Sequence, residues 1–562
     1  MRSTICRLLS LALCAVYPSL PQDQQGFLRS TGGVPGRTGV GITERRLTLQ
    51  AAVEMAVKNN LDVEIERSTV ASASQAIRAA QGSFDPAFRL RPTWQAGATP
   101  AISILQATDG SQFNRNWGTG LQLVQPLPKY GTRLNVDFDS SRVTTNNPFT
   151  TMNPYFTSRL WMGVTQPLMR GLRTDSTRTE LRIRRKELNV AEAGFRLQLI
   201  DVIARVEQSY WELVAARQDI DVRRESVELA QRQLDMTSRL AQAGEVAEVE
   251  MAAAEAELER RRDDLYRAIS RLSAVENQLK TILASDIADP VWSEQVVPIE
   301  AASSSDDHEL RELSELVHEA MKARVELQQF AHKAEIVAAE KRLAGDLTRP
   351  QVDVVAGYVS TGLAGSALAG RDPFTASSAA LYQQVNALSQ RAGLQPIAPP
   401  AIGGLTPELT GNYGSTLSNV FSGRYETFQV GVSIDLNFRN RTAEANLVRA
   451  GIADKRLTLE RKKAQQAINQ QVRDAVQEIE MARQRIASAA ASARSAREKL
   501  DSETRLYQTG ESTNFLVLTR QNEYSNSRAR LIAANVDLNQ ARARLEQTIG
   551  ATLRTYGIQA VP

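Results

Sequence analysis

Side chains able to do covalent chemistry are scarce in this sequence and poorly placed for it. The three histidines, His308, His318 and His332, fall in one linker and the helical pattern after it. Both cysteines, Cys6 and Cys14, lie in the first fourteen residues, which leaves the rest of the chain without thiol or disulfide chemistry. No Ser/His/Asp grouping, metal-ligand spacing or glycine-rich phosphate loop stands out, so no enzymatic activity, metal or cofactor is expected. Charge is balanced, Lys+Arg 67 against Asp+Glu 63 for a net +4, which argues against nucleic acid or an acidic substrate as partner. What does recur is a phrase of acid, glycine and base. Arg239-Leu240-Ala241-Gln242-Ala243-Gly244-Glu245 returns as Arg505-Leu506-Tyr507-Gln508-Thr509-Gly510-Glu511, displaced by 266 residues (510 − 244).

Each phrase stands where a helical pattern stops. Leu199, Val206, Leu213, Ile220, Val227 and Leu234 repeat every seven residues, one narrow apolar seam on a helix otherwise made of Arg, Glu, Gln, Asp and Ala. Val472, Ile479, Ile486, Ala493 and Leu500 continue it at the same displacement. The chain therefore reads as a tandem duplication built on two long antiparallel helical hairpins. The first helix, from about 176 to 240, would span ~100 Å at 1.5 Å per residue. Glycines 244 and 510, just past a helix end, suit left-handed caps.

The expected division is a signal peptide over 1–20 and a flexible segment over 21–46. A first repeat over 47–284 holds strands 84–169 and a hairpin 176–284. A linker over 285–310 follows, then a second repeat over 311–550 with strands 350–438 and a hairpin 441–550, and a tail over 551–562. Met1 to Arg7 supply a charged start and Leu8 to Val16 an apolar run, the pattern of an export signal. Leu13 precedes Cys14 where a lipid-attachment signal needs a small residue, so lipidation of Cys14 is not expected.

Strand signals alternate with period two: Phe88, Leu90, Pro92, Trp94; Leu134, Val136, Phe138; Leu160, Met162, Val164; Val352, Val354, Ala356, Tyr358; and Phe428 through Phe438. Val124-Gln125-Pro126-Leu127 and Thr165-Gln166-Pro167-Leu168 mark strand ends, since proline is tolerated there and not at strand centres. Whether the first half holds four strands or two turns on the hairpin over 117–142. No later stretch approaches the ~20 apolar residues of a spanning helix, so a membrane crossing must use strands. A strand apolar on one side and polar on the other suits a closed barrel between lipid and water. In lipid no sheet edge can stay open, and so few strands per chain require several copies to share one wall. The segment 363–422, rich in Gly, Ala, Ser and Pro, reads either as a lid over the outer mouth or as a disordered loop. The basic run Arg170, Arg173, Arg178, Arg182, Arg184, Arg185 and Lys186 reads as a solvated helix start or as a contact for anionic headgroups.

At this point the chain resembles the TolC-type outer-membrane efflux proteins, from Leu47 to Gly550. The phrases carrying the likeness are Leu47-Thr48-Leu49, Ala56 and Asn59-Asn60, then Gln166-Pro167-Leu168, and above all Arg505-Leu506-Tyr507-Gln508-Thr509-Gly510 with Val517-Leu518, Ala541, Leu545 and Gly550. The resemblance implies a homotrimer in the Gram-negative outer membrane, a membrane α+β fold whose shared β-barrel continues into a periplasmic α-helical coiled-coil barrel. It implies a passive exit duct of a tripartite efflux or type I secretion system, meeting outer-membrane lipid, a periplasmic adaptor and an inner-membrane pump or ABC exporter. By the same resemblance, the tips around Gly244, Glu245, Gly510 and Glu511 dock the adaptor, and Tyr507 and Glu250 match aperture positions. Leu516 and Thr519 stand where the best-known members carry acids, which leaves a cation-selecting acidic ring open, and an apolar constriction involving Phe515 or Leu516 is the alternative. The alternative is a periplasmic adaptor-like coiled-coil protein, which carries one hairpin between small β-domains rather than two matched hairpins each preceded by strands.

Overall fold

The structure, a computed structural model, describes residues 41, 43–102, 110–300, 310–368, 373–398 and 405–561. The expected signal peptide, Cys14 and His308 lie outside the described residues.

Two repeats make up the fold, each with a helix pair, then strands, then a long helical hairpin. The first begins with β1 (Glu44–Leu47) and helices α1 (Leu49–Asn59) and α2 (Leu61–Gln81). Four strands follow: β2 (Ala87–Pro100), β3 (Ser111–Pro126), β4 (Arg133–Thr145) and β5 (Met152–Pro167). The hairpin of α3 (Ser176–Gln242) and α4 (Glu248–Leu283) ends the repeat, and β6 (Gln295–Pro298) lies in the connection. The second repeat has α5 (Leu313–Ala323), α6 (Val325–Leu347) and β7 (Gln351–Ala367), then α7 (Pro373–Arg391) and α8 (Tyr413–Phe421) before β8 (Glu426–Asp435). The hairpin of α9 (Arg441–Gln508) and α10 (Asn514–Ile549) and a final turn, α11 (Thr552–Thr555), complete the chain.

Helices α1 and α2 are separated at Asn60. Its side chain accepts the Asp62 N–H at 3.0 Å, capping α2, while its amide donates to the Ile282 carbonyl at 3.1 Å. That buried residue serves the turn and the packing together, since an N-cap supplies one acceptor that the helix start lacks. Residues 44–46 are likewise no flexible lead-in. They belong to β1, which pairs in parallel with β6 from the expected linker. Below this pair Lys280 and Glu276, both wholly buried, meet at 2.9 Å, and Glu276 accepts the Val296 N–H at 3.2 Å. The tail after 550 is docked too: Leu553, Tyr556, Ile558 and Ala560 pack on the core that α3 forms with α1, α2 and α4.

One six-stranded antiparallel sheet joins the repeats, in the order β2-β3-β4-β5-β7-β8. The hairpin over 117–142 is part of it, so the first repeat gives four strands and the second gives two. Register fixes the faces. Phe88, Leu123, Val136, Met162, Tyr358 and Phe428 form one row, and Leu90, Leu121, Phe138 and Leu160 the next on the same side. The other side carries Arg91, Gly120, Asp139, Arg159 and Thr361 in one row. Beyond the apolar rows, α8 packs on the apolar side over Ser360 and Gly362, with Ser360 Oγ donating to the Val420 carbonyl at 2.6 Å. No described helix is long and apolar enough to cross a membrane.

Candidate functional site

Away from the sheet, the two hairpins lie side by side, with α10 against α3. Both turns are built alike. After α3 the Glu245 N–H reaches the Leu240 carbonyl at 2.9 Å and the Gly244 N–H reaches Ala241 at 3.0 Å. After α9 the Glu511 N–H reaches Leu506 at 2.9 Å and the Gly510 N–H reaches Tyr507 at 3.2 Å. Such wrap-around bonds need a left-handed residue, and Gly244 and Gly510 supply it with φ of 77° and 79°. Glu248 and Glu250 then sit in the first turn of α4, where the positive end of the helix dipole favours acids.

The turn residues named from the sequence separate into two groups. Tyr507 is buried, its hydroxyl 3.5 Å from Thr237 Oγ1. Glu250 engages through its main-chain carbonyl, which accepts from the Asn514 amide at 3.4 Å. Glu245, Glu511, Phe515 and Leu516 face outward, Phe515 being 72% exposed. The single chain thus leaves the apolar pair Phe515 and Leu516 free of the packed seam.

What sequence pattern did not reveal is the chemistry of the seam between the hairpins. Near the sheet, α3 buries Leu199, Ile203, Val206, Tyr210 and Leu213. Toward the turns it buries Ser226, Ala230, Gln233 and Thr237 instead, while Val227 and Leu234 of the heptad are only half-buried. Gln233 donates to Asn514 Oδ1 at 2.8 Å, and Asn522 donates to Glu257 at 3.2 Å. Arg528 pairs with Glu225 across the seam, and Arg261, almost wholly buried, holds Ser226 and Glu257. Burial raises the Glu257 carboxyl, but Arg260 and Arg261 outweigh it and hold the group below its ordinary value. A signal was present in the sequence: 226 and 233, and 230 and 237, are also spaced by seven, but in residues that a search for apolar letters passes over.

Three members of the basic run around the start of α3 are paired nearby. Arg178 binds Asp175 and the carbonyls of Gly171 and Leu172, Arg184 pairs with Glu180 and Glu187, and Lys186 pairs with Glu335. At the other end, the polar side of the sheet encloses a hollow of about 870 Å³ bordered by Arg91, Thr93, Asp139, Ser141, Arg159 and Tyr425. Among the described residues no group of His, Cys, Asp and Glu could hold a metal ion.

The model for outer membrane efflux proteins matches residues 133–285 and 404–551, more than half of the chain. Among solved structures, the CmeC outer membrane channel of Campylobacter jejuni aligns at TM-score 0.59 and 14% identity over 90% of this chain and 85% of its own. The outer membrane protein VceC of Vibrio cholerae aligns at 0.56 and 14%, over 89% and 96%. The open state of the MtrE outer membrane channel of Neisseria gonorrhoeae aligns at 0.56 and 15%, over 90% and 89%. At such identities the likeness is one of fold. No curated protein sequence matches the chain.

Proposed function

Since the chain belongs to the outer membrane efflux protein family, we propose that it is the exit duct of a tripartite efflux or type I secretion assembly. Three copies close one β-barrel in the outer membrane, and their hairpins hang into the periplasm as a tube. The observation that carries this reading is the sheet itself. One face is apolar along its whole width, the other carries Arg91, Asp139 and Arg159, and both edges, β2 and β8, are unpaired among the described residues. Lipid tolerates the apolar face but not the open edges, so like copies must supply the missing pairs. The adaptor alternative falls with family membership and with the second hairpin.

In this assembly the turns at Gly244, Glu245, Gly510 and Glu511 are the periplasmic tips that meet the adaptor. Tyr507 and Glu250, with the Gln233–Asn514 and Thr237–Tyr507 contacts, hold the hairpins together and so set the aperture, while Phe515 and Leu516 project toward the axis. Transport is passive, with no bond made or broken by this chain. The hydrogen-bonded seam suits a gate, because each neutral bond contributes only ~0.5–1.5 kcal/mol net and can be exchanged for water. The test is conductance of the purified protein in a planar bilayer. Wild type should show small, discrete openings, and Gln233→Ala combined with Tyr507→Phe should raise mean conductance several-fold. A protein that forms no channel in either version ends the duct reading.

A further inference from the structure

We infer that the outward face of the sheet carries a docking site for a phosphate-bearing lipid of the outer leaflet, in which Arg115 and Arg142 hold one phosphate group above a belt of aromatic rings. This rests on the duct reading above, which sets the strand ends away from the helices at the cell exterior. Both arginines stand near those ends. Helix α2 leads into β2 at Ala87 and β5 leads into α3 after Pro167, whereas β3 begins at Ser111 and β4 ends at Thr145.

The strands sort their charges by face. Register puts every aspartate of the six-stranded sheet on the polar side, together with most of its arginines. The apolar side carries only Arg115, Arg142 and Glu426 as charged residues of these strands. Glu426 accepts the Tyr358 hydroxyl at 2.7 Å. Arg115 and Arg142 are exposed, and among the described residues neither pairs with an acid. Arg115 is opposite Thr144 and Arg142 is opposite Trp117, so the two arginines are diagonal neighbours on one face, ~7–8 Å apart. Like charges at that spacing repel, and an anion bridged by both guanidinium forks relieves the repulsion.

Their height suits a headgroup. Leu123 and Leu134 are the lowest outward apolar residues of β3 and β4, and eight residues separate each from its arginine (123 − 115 and 142 − 134). That is ~26 Å along a strand at ~3.3 Å per residue, or ~20 Å of height at the usual tilt of roughly 35–45°. The apolar band of membrane barrels is ~25 Å tall. The two backbone positions thus lie just under its upper rim, from which the long side chains carry their charge up into the headgroups.

Aromatic rings frame the pair. Trp94 and Trp117, both well exposed, meet at 6.1 Å between ring centroids just below Arg115. The Arg115 guanidinium lies 5.6 Å from the Phe113 ring, and Phe156 stands opposite Arg142. Tryptophan favours the level where apolar chains give way to headgroups. The neighbours on the page also say what covers the site. Strands β3 and β4 are interior to the sheet, so a second copy joined at the β2 edge leaves both arginines facing the membrane. A saccharolipid with phosphate on its sugar satisfies the whole surface, its acyl chains on the apolar rows and its phosphate at the arginines.

The probe is diphosphoryl lipid A, with its dephosphorylated form as comparison. The full chain is purified in detergent, freed of co-purified lipid, checked for trimer, and titrated with each lipid by native mass spectrometry. Wild type should bind the diphosphoryl form about tenfold or more tightly than the dephosphorylated one, from two arginines near the headgroups. Arg115→Gln with Arg142→Gln should bind the two forms alike, and Arg115→Lys with Arg142→Lys should keep most of the preference, because the charge remains. Wild type without a preference, or a glutamine variant that keeps it, overturns the lipid site while the duct reading stands. A glutamine variant that no longer forms trimers assigns the arginines to assembly and overturns the site as well. Wild type that is monomeric throughout overturns the duct reading, and this inference with it.

Discussion

Glu207 offers a stability measurement with a defined sign. It sits in α3, buried, with Tyr556 of the C-terminal tail donating to Oε1 at 2.5 Å, and Oε2 lacks a hydrogen-bond partner. Burial lifts this carboxyl from 4.5 to about 7; the Tyr556 hydroxyl opposes the rise and the nearby Glu546 adds to it. Arg205 and Arg544 line the same small cavity. Between pH ~4.5 and ~7 the native state holds a proton that the unfolded chain releases, so native stability is greatest below that window and falls as pH rises through it. The gap corresponds to about 3 kcal/mol at 1.36 kcal/mol per pH unit. Glu207→Gln keeps an acceptor for Tyr556 and removes the titration. Its amide replaces the unpartnered Oε2 with an unpartnered donor, a cost of ~1–3 kcal/mol that does not depend on pH. The informative quantity is thus the difference in slope. Denaturant unfolding in detergent, followed by circular dichroism at several values from about pH 5 to about pH 8, should show wild type losing more stability than Glu207→Gln, by up to about 3 kcal/mol. Parallel curves would refute the argument that this carboxyl is protonated in the fold.

Two further substitutions bear on packing. Lys280→Met strips the opposite charge from the wholly buried Glu276, and breaking such a pair costs roughly 3–5 kcal/mol, so the yield of heat-stable trimer in membranes should collapse. Adding Glu276→Gln should recover part of it. At Gly362 a Cβ would stand 2.2 Å from the Thr416 carbonyl, so Gly362→Val should displace α8 and speed protease cleavage on either side of it, with trimer yield unchanged.

The duplication, the four long helices and most strands were legible because each repeats one type of residue at one period. Fixed spacing of 266 between Gly244 and Gly510 needs no knowledge of contacts. What the sequence hid was set by tertiary partners. Asn60 interrupts α1 and α2 because its amide finds the Ile282 carbonyl, a partner 222 residues away. Residues 44–47 are a strand only because β6 lies alongside. Tyr556 and its neighbours carry no periodic signal, yet they close the core beside Glu207. At the turns, the glycines followed from cap chemistry, whereas Gln233, Thr237 and Asn514 became visible only once α10 was seen against α3.

That last group gives the sharpest distinction between a seam that holds and a seam that parts. Near the sheet α3 is fixed by large apolar side chains, each worth about 1.5–3 kcal/mol when fully buried, with no compensating bond to water on separation. Toward the turns the buried residues include, beside Ala230, Ala254 and Val517, the polar Ser226, Gln233, Thr237, Asn514, Gln521 and Ser525, which regain hydrogen bonds with water as the helices move apart. Helix α3 is thus held by apolar packing, mostly against α1, α2 and α4, at one end and by separable polar contacts with α10 toward the turns. Converting Gln233 and Asn514 together to leucine should extend the firm region by an apolar contact of similar volume, strengthening the closed state by roughly 2–3 kcal/mol, since two such burials give ~3–6 and the two lost hydrogen bonds, to each other and from Asn514 to the Glu250 carbonyl, take back ~1–3. In planar bilayers the double variant should then open at least tenfold less often than wild type while assembling normally. If openings are as frequent as before, the polarity of the seam has no part in gating, and the aperture must be controlled by contacts between copies.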